Sequence, residues 1–311
     1  MSMRRDRQGF ILLPVVLILA VIGSIALMLN QKSVVALKQT AAINDFEQAR
    51  YVAEAGLVMA GQALLQDDDC AGYSVAPTGS FNGRNYTASV SPDHGSPVML
   101  NITVEQEGGV KQFSREVRMF ETIEQTLNPT KGTHIRSTDK STNYSTEETL
   151  HVNYSAFLPD RIGLLEFDFS SMTVDIDALV SVSLELHLSG APDSSNSDVD
   201  VSILRLKKEW VEDEATYNER KAGVVWTNSD LDFSPAAVTS VDEGVIGWNS
   251  WDVKDLVTGW LDGAYVNYGF ELWGENGVTN NLKFINKNHS DSTKHPILRI
   301  STLCECGHTC P

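Results

Sequence analysis

One stretch of the chain differs in pattern from all the rest. Phe10 to Leu29 is a run of 20 uncharged residues. As a helix rising about 1.5 Å per residue it is roughly 30 Å long, the thickness of a bilayer's hydrocarbon core. Polar residues return at Asn30, yet the helical period persists. Phe46, Ala49, Ala53, Leu57, Ala60 and Leu64 recur at spacings of three and four, which predicts one buried stripe on a helix over residues 10–66. Asp67, Asp68 and Asp69 end it, because carboxylates are disfavoured at a helix C-terminus, and Gly72 follows.

From 67 to 121 the period changes to two. Tyr86–Val90, Val98–Val104 and Phe113–Val117 read as strands, with turns at Gly79, Gly83, Pro92, Gly95, Pro97 and Gly108-Gly109. This predicts a small antiparallel sheet packed on the second half of the helix, an α+β globule. Asn128-Pro129 and Gly132 interrupt any regular pattern, so 122–132 reads as a linker. Residues 133–303 then carry short strands and no helical pattern longer than two turns, as in an all-β sandwich. A tail rich in cysteine, 304–311, closes the chain.

Charge narrows the setting. The formal net charge is -17, and residues 1–9, with three Arg and one Asp, contribute +2, so the chain without them carries -19. Such a balance repels phosphate backbones and excludes nucleic acid as a partner. Arg4, Arg5 and Arg7 form a positive flank expected on the cytoplasmic side, which directs everything after Leu29 outward. A secretory signal peptide fits less well, since its apolar region spans about 7–15 residues and Ala26–Asn30 is a poor small-x-small site.

The chain contains no G-x-S-x-G, G-x-x-x-x-G-K-[ST], H-E-x-x-H or G-x-G-x-x-G, and its seven His are scattered singly. Asp175 and Asp177 lie two apart, on one face if their segment is a strand, but a glycosidase pair must flank a cleft. The residues point to a binding or structural protein rather than an enzyme, with polysaccharide processing the weaker alternative.

Two resemblances sharpen this reading. The junction Gly9-Phe10 ahead of the apolar run resembles the site that prepilin peptidase cuts in the type IV pilin superfamily, and Ala49-Arg50-Tyr51-Val52-Ala53-Glu54-Ala55-Gly56-Leu57 resembles the "AAEAGL" segment of PilX-like minor pilins. The likeness covers residues 4 to about 66. It implies a leader over 1–9, cleavage between Gly9 and Phe10, methylation of the new amine, anchoring in the inner membrane before assembly, and other pilin subunits as partners. Counting from Phe10, the family's Glu at the fifth position is here Pro14, which implies a minor, tip-located or initiating subunit. Proline in a first helical turn loses no hydrogen bond.

Downstream, Arg161–Ser170 is similar to the "R-x-L-L-x-F-D-L-S" core of DNRLRE domains, with Phe169 where leucine is usual. Trp210-x-Glu212 with Thr216-Tyr217, then Trp226, Trp251–Trp260 with Asn267–Leu272, and Pro296–Ile300 follow in that family's order. The resemblance implies a jelly-roll module of microbial surface proteins, several of which bind or process polysaccharides. Trp210, Trp226 and Trp260 read as buried anchors. Tyr144, Tyr154, Trp248 and Trp273, which sit beside Ser, Asn and Gly, are the candidate contacts to a polysaccharide or surface glycan.

Asp193-Ser194-Ser195-Asn196-Ser197-Asp198 offers oxygen ligands for a structural calcium ion, though a solvated turn explains it as well. Cys70, Cys304, Cys306 and Cys310 are placed outside the cytoplasm, where thiols pair. Three tail cysteines make one bridge among themselves, leaving one for Cys70. Jelly rolls commonly hold their first and last strands side by side, which permits that link. A Cys3His zinc site with His308 is the alternative, strained by ligands one residue apart. The expectation is a minor pilin-like surface protein, extracellular or on a pilus after assembly, displaying a glycan-binding sandwich for adhesion. The alternative is a structural subunit that primes or caps a pilus or secretion filament.

Overall fold

The computed structural model describes residues 12–64, 70, 72–106, 109–155, 158–172, 174–190, 198–227, 230, 234–242, 244–275 and 281–308. The chain divides into two compact units, one of residues 1–120 with 305–307 and one of residues 121–304 with 308–311. Gly9 and Phe10 lie outside the described residues, as does the candidate calcium segment Asp193–Asp198 apart from Asp198.

In the first unit a single helix, α1 (Leu12–Leu64), has two characters. The large apolar side chains from Val16 to Leu29 are all more than half exposed, in a segment long and apolar enough to cross a membrane. Those properties suit an anchor or a signal sequence alike. The second half buries Ala49, Val52, Ala53, Ala60 and Leu64. Phe46, expected in the stripe, is 40% exposed, while Val52, outside the expected stripe, is buried.

This half packs on a four-stranded antiparallel sheet in sequence order: β1 (Thr78–Phe81), β2 (Arg84–Ser91), β3 (Val98–Gln106) and β4 (Gly109–Val117). Val98, Leu100, Ile102 and Val104 of β3 are fully buried against it, as strict alternation requires. Small helix residues set the approach. A Cβ on Gly56 would stand 3.2 Å from Ile102 and from the Tyr86 ring. Asn82 and Gly83, both with positive φ, form the two-residue turn that matches strand twist, joining β1 to β2. Arg84 then ties the sheet to the helix through Asp45 and Gln48.

The second unit is an all-β, sandwich-like fold. Its strands are β5 (Phe120–Leu127), β6 (Pro129–Arg136), β7 (Thr149–Ser155), β8 (Leu158–Phe167), β9 (Leu179–Gly190), β10 (Val199–Arg205), the short β11 (Glu219–Lys221) and β12 (Val224–Val225), β13 (Ala237–Val241), β14 (Gly247–Asp252), β15 (Phe270–Glu275), β16 (Asn281–Ile285) and β17 (Ile297–Glu305). Hydrogen bonds run through β13-β10-β15-β8-β7-β16-β9-β17-β5, with β14 added to β9 and β6 to β8. Thr239 Oγ1 of β13 donates to the Ser250 carbonyl of β14 at 2.9 Å, so the path curls back on itself around one core. The first and last strands of the unit, β5 and β17, are neighbours.

That core takes alternate residues of β9 (Val182, Leu184, Leu186, Leu188) and β10 (Val199, Val201, Ile203), with Trp251, Phe270, Leu272, Phe284, Leu298 and Ile300. The helix α2 (Lys254–Leu261) closes one end with Leu256, Val257 and Trp260. A smaller cluster gathers Ile135, Ile162, Leu164, Leu206, Trp210 and Ala215. Two of the buried indoles have their N–H satisfied, Trp251 by the Val201 carbonyl at 2.8 Å and Trp210 by that of Tyr268 at 2.9 Å, while that of Trp260 has no partner among the described residues. Trp210 and Trp260 are buried as expected, and Trp226 is partly so.

Two expectations need correction. Residues 122–132 are not an irregular linker but strand: β5 reaches Leu127 and Pro129 begins β6, where a missing N–H costs nothing. Gly132 belongs inside β6 because Asn286 Oδ1 occupies the place of a side chain, 2.4 Å from an added Cβ. Asp175 and Asp177 share no strand face, since Asp175 caps the 3-10 turn Ile176–Ala178 by accepting from the Asp177 N–H at 3.0 Å.

In the first unit Cys70 is disulfide-bonded to Cys306, across a sequence separation of 236. Cys304 is disulfide-bonded as well, and Cys310 lies outside the described residues. The Cys3His zinc reading is thereby overturned, since bridged sulfurs are no longer thiolates. Around the bridge, Cys306 N–H donates to the Met119 carbonyl at 3.0 Å and Ser96 Oγ to Glu305 at 2.8 Å.

Non-reducing tryptic mapping is expected to yield the peptide between Arg50 and Arg84 linked to the one after Arg299. Cys306→Ser is expected to abolish that pair and lower the first unit's stability, the chain-entropy ceiling being on the order of 5 kcal/mol. Gly269→Ala is expected to destabilise the second unit by about 2 kcal/mol or more, since φ is +93° and an added Cβ would lie 2.1 Å from the Leu165 carbonyl oxygen. All six tryptophans belong to that unit, so a urea titration followed by their fluorescence measures it alone.

Candidate functional site

The second unit holds two groupings of chemical side chains, one buried and one open. The buried one is a stack built on β6 and β7. The Arg136 guanidinium lies 4.3 Å from the centre of the Tyr144 ring, Tyr144 stacks on His134 at 4.6 Å, and His134 on His151 at 4.6 Å. Only strand pairing and the loop after β6 bring these together. Tyr144, expected as an exposed glycan contact, is 8% exposed, with its hydroxyl on Asp139 at 2.9 Å.

Protons in this stack are well defined. Arg161 and Asn281 both donate to His151 Nδ1 at 3.0 Å, so the ring proton sits on Nε2, facing Thr149 Oγ1 at 3.0 Å. Arg136 Nε donates to His134 Nε2 at 3.2 Å. Burial, then the neighbouring cations, hold both imidazoles neutral, His134 pushed down to about 2 and His151 to about 4.

Glu147 Oε2 lies 3.9 Å from Nε2 of each histidine, which makes this a three-residue set of metal-ligand type. The proton pattern opposes that use. A metal on His151 Nε2 would force the ring proton onto Nδ1, against two donors, one of them a guanidinium. Arg136 and Arg161 also repel a cation. The arrangement suits a structural polar core, hydrogen-bonded at His151 and at His134 Nε2 while His134 Nδ1 has no partner among the described residues.

The open grouping lies on the outer face of β14, β9 and β17. Trp248 is 45% exposed, and the His187 ring directly opposite meets it edge-on at 5.3 Å. Ser250 faces Glu185, and Asp252 faces Ser183. On the next strand Arg299 grips Glu185 through Nε at 2.8 Å and Nη2 at 3.1 Å, and Glu124 of β5 takes Nη1 at 3.1 Å. The Arg299 partner holds the Glu185 carboxyl below its usual range.

The other two expected contacts lie elsewhere. Trp273 is partly buried against the smaller cluster, and its N–H is given to Glu271, whose carboxyl burial pushes up to about 8. The side chain of Tyr154 lies outside the described residues. The structure therefore leaves Trp248 exposed and does not bring the four aromatics together. Sequence reading missed the histidine stack and the polar row on β9. The latter had a signal, the alternation Val182-Ser183-Leu184-Glu185-Leu186-His187-Leu188-Ser189; the former had only His134 and Arg136 two apart.

A sandwich of short antiparallel strands with an aromatic and hydrogen-bonding groups on an open face is the build of a carbohydrate-binding module. Comparison of sequences supplies the family: residues 123–302, more than half of the chain, match Carbohydrate-binding module family 96 (CBM96), and the chain belongs to it. Among curated proteins no match is found.

The histidines make the second unit acid-sensitive. Their folded pKa values lie below the ordinary 6.5, so as pH falls through 6.5 the unfolded chain takes up protons first and stability drops. The slope is at most about 1.4 kcal/mol per pH unit for each group, ending near pH 4 for His151. Glu271 works the other way, since its folded carboxyl, raised to about 8, takes up a proton before the unfolded one and adds stability as pH falls. Between pH 6.5 and 5 the two histidines outweigh it, so the urea midpoint is expected to fall in the wild type and to become nearly flat in His151→Gln.

Proposed function

We propose that this protein is a membrane-anchored, minor pilin-like surface protein that displays a carbohydrate-binding sandwich for adhesion at or near a filament tip. The observation that carries the proposal is the presence on one chain of a CBM96 unit and an α1 segment whose apolar side chains are left exposed over Val16–Leu29. Arg4, Arg5 and Arg7 ahead of Gly9-Phe10 support a prepilin leader cut by prepilin peptidase. The Ala49–Leu57 segment, resembling minor pilins, is the part of the helix that meets the small sheet. In this reading the anchor holds the subunit in the inner membrane until assembly, after which the sandwich faces the medium. Repeated sugars on a polymer, met by several displayed copies, raise the effective concentration and turn weak single contacts into firm attachment.

Intact mass of the protein from its native host is expected to begin at Phe10, with its amine methylated. A form retaining Met1, or one starting near Asn30, ends the pilin reading. Deleting the gene is expected to abolish attachment to polysaccharide while filaments persist; loss of the filaments themselves would instead assign a priming or capping role.

A further inference from the structure

We infer that the free edge of β4, in the first unit, is a docking site for an extended segment of another protein, which adds to the small sheet as a further strand and meets it with carboxylates. The strand ends the order β1-β2-β3-β4 and pairs with β3 at all nine of its residues without a register shift. Among the described residues no strand pairs with its other edge, and its backbone makes no backbone hydrogen bond outside the β3 ladder. Seven of the nine residues are exposed, and none is proline. A straight edge of this length, about 30 Å, offers a row of unpaired N–H and C=O groups to an incoming strand.

Side chains along the edge select what that strand carries. Lys111, Phe113 and Arg115 stand opposite Val104, Ile102 and Leu100, which are fully buried against α1, so the three share the helix-side face. The Lys111 ammonium lies accordingly 6.0 Å from the centre of the Phe46 ring of α1. Lys111 and Arg115 are exposed, and neither makes an ion pair among the described residues. Glu116 points to the other face by strand alternation. On a chain of net charge -17, two unanswered cations either side of the half-buried Phe113 form a local exception.

The same charges disfavour a second copy of this chain. Antiparallel pairing of two β4 strands over all nine residues would set Lys111 opposite Arg115 twice, and in-register parallel pairing would set each cation beside its twin. Like charges directly opposite are destabilising. A strand with acidic residues four apart and an apolar residue midway, Glu-x-Val-x-Glu in form, answers both cations with carboxylates and covers the open side of Phe113. Charged residues facing inward at a sheet edge reject uncharged strands, so these two residues give selectivity while the backbone groups give affinity.

The test uses the full chain in detergent micelles and two labelled peptides, Thr-Glu-Thr-Val-Thr-Glu-Thr and its counterpart with Lys in place of both Glu. Fluorescence anisotropy is expected to show saturable binding of the acidic peptide, at least tenfold tighter than the basic one and weakening as salt is raised. The double variant Lys111→Glu with Arg115→Glu is expected to invert that preference, an outcome that misfolding cannot produce. Amide exchange is expected to slow at alternate β4 residues when the acidic peptide is bound. Equal binding of the two peptides, or a preference that survives the double variant, overturns the acidic partner. Bound peptide with unprotected β4 amides overturns the site, and binding of neither peptide overturns both. Slowing at β4 that grows with protein concentration in the absence of peptide assigns the edge to a second copy, and so also overturns the acidic partner.

Discussion

The second unit depends on strand parity around Trp251. That side chain is fully buried, meets Phe284 at 5.9 Å in an edge contact, and donates its N–H to the Val201 carbonyl. An aromatic of this size removes about 150–250 Å² from water, on the order of 4–6 kcal/mol at about 25 cal/mol per Å². A slip of one residue in β14 would turn it to solvent, so the register is strongly held. Everything on the opposite face follows. Trp248 lies at the other parity and must point outward, as must Ser250 and Asp252, and β9 is locked alongside with Leu184 and Leu186 inward and Glu185 and His187 outward.

Inside the smaller polar core the balance is different. The stack of Arg136, Tyr144, His134 and His151 replaces hydrocarbon with rings, and its stability rests on those rings remaining uncharged. Arg161 and Asn281 fix the tautomer of His151 from strands far apart in sequence. Such a network specifies one arrangement of β6, β7, β8 and β16 more sharply than an apolar patch of equal size.

How far the chain's own letters reach is clear from particular residues. The apolar run, most of the helical stripe, the turn at Gly83 and three strands of the small sheet were legible because each signal is local, a length, a period or a turn residue, whereas β1 was not, since Gly79 reads as a turn and lies inside that strand. The boundary at 122–132 was not, because Pro129 and Gly132 look like breakers until β8 and Asn286 are there to accommodate them. Tyr144 sits among polar neighbours in sequence and among rings in space. The contacts that bury it come from His134 and Arg136, and no local spacing encodes them. Of the candidate contacts whose side chains are described, Trp248 has the exposure that its neighbours suggested, and the groups beside it come from β9 and β17.

The Cys70–Cys306 bridge changes what a protease can do. The second unit begins at Glu121, is interrupted after Cys304 by residues 305–307 of the first unit, which the bridge holds, and takes up the chain again at 308–311. One backbone cut between the units, at either limit, therefore sheds nothing: the nicked sandwich stays covalently attached to α1 through the other crossing. Release takes more than one event, such as a cut ahead of Glu121 together with reduction of the bridge. In a medium that contains proteases but few thiols, that makes retention of the binding unit tolerant of single breaks.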